Sequence, residues 1–228
     1  MRIRMLTPVD EHSAIAAKSL AIAEALAFHV EVDVVGEPTD FPRITSFPVH
    51  PLPLSPNLPP ADFWLVALGN SPFNRAALQL VEREPTLVML HDLTLLGGVV
   101  SIDRSATPSF SLGDLVESEY GAAVRRELSE PQTQGRAHYN LDYGMLEHYL
   151  RHARGVITHS RFAVEHVQAR TTAPVRLAFL PLTEPARASQ RSGQPVMLSL
   201  GHVNWNRSLT FVLEHSAGSP RICGRCTA

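Results

Sequence analysis

The chain has a single lysine, Lys18, and only two cysteines, Cys223 and Cys226, both among its last six residues. One CxxC pair supplies only two zinc ligands and no thioredoxin-like strand precedes it, so the pair reads as part of an irregular tail. No stretch reaches the roughly 18 to 20 uninterrupted apolar residues of a membrane span. The amino terminus opens on the strand-like Ile3–Leu6 where a secretory leader would stand, and the protein is read as cytoplasmic. An excess of charge is also lacking. A formal net charge of −2 provides no basic surface for a duplex, which argues against a nucleic-acid partner. Absent too are a glycine-rich phosphate loop with its lysine, a three-glycine dinucleotide fingerprint and a nucleophile elbow, a pattern that Gly69-Asn70-Ser71-Pro72 does not meet.

What the chain does have is apolar runs that end in small or polar residues. Leu87–Leu90 runs into His91 and Asp92, Phe63–Leu68 into Gly69, Asn70 and Ser71, and Gly155–Ile157 into Thr158, His159 and Ser160. Continuous apolar runs suit strands covered on both faces, as in parallel sheets, and α/β proteins bind ligands at the carboxyl ends of such strands. Ile3–Leu6, a helix over Ser13–Phe28 with Ser13 as N-cap, and Val30–Val35 form a βαβ opening.

Eight prolines between Gly36 and Pro60 leave room for only a short extended piece near Ser46–His50. A strand at Phe63–Leu68, a helix near Phe73–Glu84 and a strand at Thr86–Leu90 follow. Ser101–Pro108 reads as loop, and helices are expected over Leu112–Leu128 and from about Ala137 to Arg154. The alternation ends with a strand at Gly155–Thr158, a helix over Arg161–Arg170 and a strand at Val175–Phe179. The expected fold is α/β, a doubly wound, mostly parallel, Rossmann-like sheet of six or seven strands. It would occupy residues 1–182. Residues 183–194 read as a polar linker, 195–215 as the incomplete start of a second domain, and 216–228 as an irregular tail.

At these same residues the chain resembles the N-terminal domain of retaining nucleotide-sugar glycosyltransferases of the two-domain GT-B type, also called glycosyl transferases group 1 or family four. The resembling stretches are Ser13–Ser19, Leu68–Asn74, Val88–Leu93, Gly155–Phe162 and Met197–Arg207. Their order and spacing carry the likeness over most of residues 1 to 210. The resemblance implies transfer of a sugar from a nucleotide-sugar donor to a glycan, lipid or small-molecule acceptor, with no cofactor or metal beyond the donor itself.

By the same resemblance, Ser13 and Ala14 lie where the donor diphosphate approaches a helix N-terminus, Ala14 standing where relatives tend to have glycine. His91 matches the histidine beside the transferred sugar, where a neutral imidazole can hydrogen-bond the sugar or steady developing charge. Asp92 would orient that ring or an acceptor hydroxyl, or cap a helix. Gly69 and Asn70 resemble a Gly-Asn turn that in relatives continues to a histidine at the place of Asn74. Ser160 resembles a serine lining the cleft, though a helix cap explains it better. Gly201 and Arg207 resemble the stretch that brings positive charge to the diphosphate.

Glu119 and Glu127 share the eight-residue spacing of a glutamate pair that relatives carry in the second domain, but here they fall on a first-domain helix and read as a solvated face. His148 and His152, one helical turn apart, lack the glutamate of a zinc-protease motif. The Arg125–Arg126 helix is read as solvated, with a peripheral membrane contact as the alternative. Because the second domain looks incomplete, little transferase activity is expected of this chain. The alternatives are a non-catalytic Rossmann-like binding module and a decayed gene product.

Overall fold

The computed structural model describes residues 1–9, 13–36, 49–103, 111–129 and 141–180. The linker 183–194, the segment 195–215 with Gly201 and Arg207, and the tail 216–228 lie outside the described residues. The described residues form seven strands: β1 (Arg2–Leu6), β2 (Glu31–Gly36), β3 (Val49–Pro51), β4 (Phe63–Leu68), β5 (Leu87–Leu90), β6 (Gly155–Thr158) and β7 (Val175–Leu177). They form one sheet in the order β3-β2-β1-β4-β5-β6-β7, and every ladder is parallel. Ile3 lies opposite both Val32 and Phe63, and Leu65–Leu68 lies opposite Leu87–Leu90. The fold is a doubly wound, Rossmann-like α/β sheet.

The chain leaves β1 in one direction toward β2 and β3, then returns past β1 and proceeds outward through β4 to β7. Right-handed crossovers therefore place the helix after β1 on one face and those after β4, β5 and β6 on the other. Side-chain alternation along each strand serves both layers. Met5, Val34, Ala67 and Met89 face the layer that holds Leu20 and Leu26 of α1 (Ala14–Ala27). Leu6, Val35, Leu68 and Leu90 face the other. That second layer holds Leu78 of α2 (Arg75–Val81), Val99 of α3 (Leu96–Asp103), Val116 of α4 (Leu112–Tyr120), and, beyond α5 (Ala122–Ser129), Leu146 of α6 (Leu146–Tyr149) and Val167 of α7 (Arg161–Gln168). Val34, Val66, Ala67, Leu68 and Val88 are fully shielded from solvent. Each larger apolar side chain buried in this way contributes about 1.5–3 kcal/mol.

Four expectations from the sequence are corrected. Ser101–Asp103, read as the start of a loop, closes α3; only 104–108 of that loop lie outside the described residues. The helix expected over Leu112–Leu128 breaks at Gly121, whose φ of 88° is left-handed and suits a residue without a Cβ. The helix expected up to Arg154 is, in its described part, a 3₁₀ turn at Leu141–Tyr143 and the single turn α6. Between them a Cβ on Gly144 would stand 2.6 Å from the Leu93 carbonyl oxygen, and Met145 takes φ 61°. The chain must pass close to the loop after β5 here, and a continuous helix cannot.

Glu119 is the fourth correction, since its side chain is 13% exposed and lies in an ionic network. His148 Nδ1 lies 3.0 Å from Glu119 Oε1, and His148 Nε2 lies 3.0 Å from Glu82 Oε1. Carboxylates only accept, so both ring nitrogens donate and the imidazole is held as a cation. The Glu82 hydrogen bond chiefly raises the His148 pKa, against burial and with help from Glu119. Burial pushes Glu119 up, but hydrogen bonds from His148 and Arg151 outweigh it and leave the carboxyl below its usual range. One imidazolium thus ties the end of α2 to α4 and α6.

A His raised above its unfolded value stabilises the fold fully below pH about 6.5, and that contribution is lost as pH rises through the folded value. Thermal melts from pH 6 to 9 should show the wild type losing stability relative to His148→Gln, which is expected to be about 1–3 kcal/mol less stable at pH 6. Parallel pH profiles for the two would contradict the network.

Candidate functional site at the carboxyl edge of the sheet

The strand order reverses between β1 and β4, and the carboxyl ends of adjacent strands diverge there into helices on opposite faces. In open α/β sheets this is where ligands bind. The turn after β4 is built without spare room. A Cβ on Gly69 would fall 2.2 Å from Ile15 Cδ1 of α1 and 2.9 Å from Asp92 Oδ2. The start of α1, the β4 turn and the β5 turn therefore meet at this point. Fully buried Asn74 holds the turn from below: its Oδ1 accepts from the Gly69 N–H at 3.1 Å, and its Nδ2 donates to Ser71 Oγ at 2.8 Å.

Asn70 links three segments. Its N–H donates to Asp92 Oδ2 at 2.8 Å, and its Oδ1 accepts from Gly97 N–H at 2.6 Å and Gly98 N–H at 3.2 Å. Gly97 and Gly98 are in the first turn of α3, whose leading amides have no partner within the helix, so Asn70 caps α3 from another loop. A Cβ on Gly97 would stand 2.8 Å from that oxygen, which explains glycine at this position. Burial raises the Asp92 pKa and the Asn70 hydrogen bond lowers it, leaving it above the usual value. Asp92 thus serves the Asn70 backbone.

His91 follows β5, its N–H donating to the Leu68 carbonyl at 2.8 Å. Its ring packs against that of His159 at the end of β6, with centroids 4.7 Å apart and planes tilted by 34°. Burial, and then the His159 charge, lower the His91 pKa to about 4, so the ring is neutral at physiological pH. His159 Nδ1 lies 2.8 Å from the Ala178 carbonyl oxygen. Since a carbonyl only accepts, the proton sits on Nδ1. The Nε2 atoms of both rings are buried without a hydrogen-bond partner among the described residues. A buried polar group left so costs about 1–3 kcal/mol, and native proteins keep few of them.

Ser13 and Ser160 are N-caps: Ser13 Oγ accepts from the Ala16 N–H at 3.4 Å in α1, and Ser160 Oγ from the Ala163 N–H at 3.1 Å in α7. Ala14 is the first residue of α1. The structure therefore brings His91, Asp92, Gly69, Asn70 and the start of α1 to one edge, with Ser160 beside His159. The sequence places His159 at the end of an apolar run, as with His91, and notes Asn74 only as standing in place of a histidine, and it assigns neither a role. No signal in the sequence gives the role of Asn74, since its partners are set by the turn. Among the described residues no group of three or more His, Cys, Asp or Glu side chains is placed to hold a metal, and no helix is long and apolar enough to cross a membrane. Comparisons with models of protein families, with curated proteins and with solved structures find no match to the chain.

Asn70→Ala removes the cap of α3 and should cost about 1–2 kcal/mol in denaturant melts; an unchanged midpoint would show the cap to be idle. Between about pH 6.5 and 4 the unfolded chain takes up a proton that folded His91 does not, so this residue's contribution falls as the medium is acidified through that window. NMR titration should find His91 neutral at pH 5.5 with a midpoint near 4; a midpoint above 6 contradicts the buried placement.

Proposed function

We propose that this chain carries the acceptor-side, Rossmann-like domain of a glycosyltransferase that moves a sugar from a nucleotide-sugar donor to a glycan, lipid or small-molecule acceptor, with His91 beside the transferred sugar. The observation that carries the reading is His91 itself: a neutral imidazole whose buried Nε2 has no partner among the described residues, at the carboxyl edge of a parallel sheet near the point where strand order reverses. Sugars present directional hydroxyls, and a fixed neutral ring meets one without the desolvation penalty of a charge. The amino end of the 14-residue α1 stands at the same edge, where its leading amides favour an anion such as a diphosphate.

A non-catalytic binding module is the second reading. It is favoured by one feature: the carboxylate of Asp92 and the amide of Asn70 are engaged in holding loops together.

Calorimetry of the chain with UDP-glucose and GDP-mannose, paired with a radiolabelled transfer assay, tests both. Binding that weakens about tenfold in His91→Ala supports the proposal, since one ligand hydrogen bond is worth roughly that factor. Turnover supports the transferase reading and exceeds the little activity expected of the chain. Binding without turnover that depends on His91 fits an acceptor-side domain acting alone, and binding indifferent to His91 favours the module. No binding of either nucleotide sugar refutes the proposal.

A further inference from the structure

We propose that His159 is a second ligand-recognising residue of this edge, its Nε2 accepting a hydrogen bond from a hydroxyl of the bound sugar. The inference rests on the sugar-binding reading above and deepens it. The direction of the bond follows from the tautomer. The Ala178 carbonyl at 2.8 Å holds a proton on Nδ1, so in the neutral form of the ring Nε2 carries only a lone pair, and an acceptor calls for a donor. That nitrogen is buried and no described protein group serves it. His91, just past the end of the adjacent strand, also has a buried Nε2 that no described group serves, and the two ring centroids stand 4.7 Å apart. Two orphaned imidazole nitrogens side by side are what a polyhydroxylated molecule satisfies in one step, since neighbouring hydroxyls on a sugar ring are fixed relative to each other. An anion is the wrong partner for the neutral ring in this tautomer, because the lone pair repels it.

The rotation of the ring is set by the same carbonyl. Ala178 N–H in turn donates to the Thr158 carbonyl at 2.9 Å, so the carbonyl that orients His159 belongs to a residue pinned to the end of β6. The acceptor is thus held by the sheet itself, in the manner of second partners that fix a histidine's tautomer and aim.

Two isosteres separate the functions of the ring. His159→Asn places an amide nitrogen near Nδ1, keeping the bond to Ala178 while deleting the acceptor. His159→Gln keeps an acceptor near Nε2 and loses the tether. On the full chain, with UDP-glucose, GDP-mannose and free glucose as probes, His159→Asn should bind about tenfold more weakly at an unchanged melting temperature, with His159→Gln within about threefold of the wild type. Nitrogen-detected NMR of the wild type should show the Nδ1–H tautomer, with sugar moving the His159 Nε2 resonance. Wild-type affinity in His159→Asn, equal loss of affinity and stability in both variants, or a still Nε2 resonance while a probe binds would each overturn this inference and leave the binding reading standing. Failure of every probe to bind the wild type would sink both.

Discussion

The inner strands of this parallel sheet, covered on both faces, leave polar side chains one place to emerge without being buried unpaired, and that is where the strands end. The whole carboxyl edge obeys this constraint. The cores of β4, β5 and β6 are apolar, and their termini release Gly69 and Asn70, His91 and Asp92, and His159 and Ser160 within a residue or two of the last ladder position. Because the ladders are all parallel, residues far apart in sequence become neighbours, and the geometry of the edge is set by the sheet's register.

Within that edge a division of labour is visible. Asn70, Asn74 and Asp92 spend their hydrogen-bonding capacity on backbone amides and on a serine, and so fix the loops. The Nε2 atoms of His91 and His159 have no partner among the described residues. Asp92 and Asn70, which the sequence names beside His91 as candidate site residues, hold loops together. His159, given no role by the sequence, is left open beside His91. Spacing along a chain reports where a residue emerges. It does not report which partner takes its donors and acceptors, because that partner lies on another strand.

The sheet was legible because continuous apolar runs of four to six residues, bounded by Gly, Pro and polar residues, have few other uses. The strands β1, β4, β5 and β6 stand within a residue of where the pattern put them. The helical half was less legible. Helix α3 carries a Gly-Gly pair in its first turn, which by local propensity marks a loop, and it forms because Asn70 caps it from across the edge and Val99 and Ile102 are buried beneath it. In α4 and α5 periodicity runs on through Gly121, yet the backbone turns there. The ionic role of Glu119 could not be read from its neighbours, since His148 lies 29 residues away and Glu82 is further still. Tertiary partners decided each of these cases.

Among the described residues the two ends of the strand order, β3 and β7, are three residues long, and β3 closes on Pro51, which has no N–H to offer. Edge strands this short, one ended by proline and the other carrying the exposed Arg176, make a poor template for another chain to add to. A sheet rich in apolar β-structure is thereby guarded against lateral growth, and the protein can keep its long buried strands in the middle without inviting aggregation at the rim.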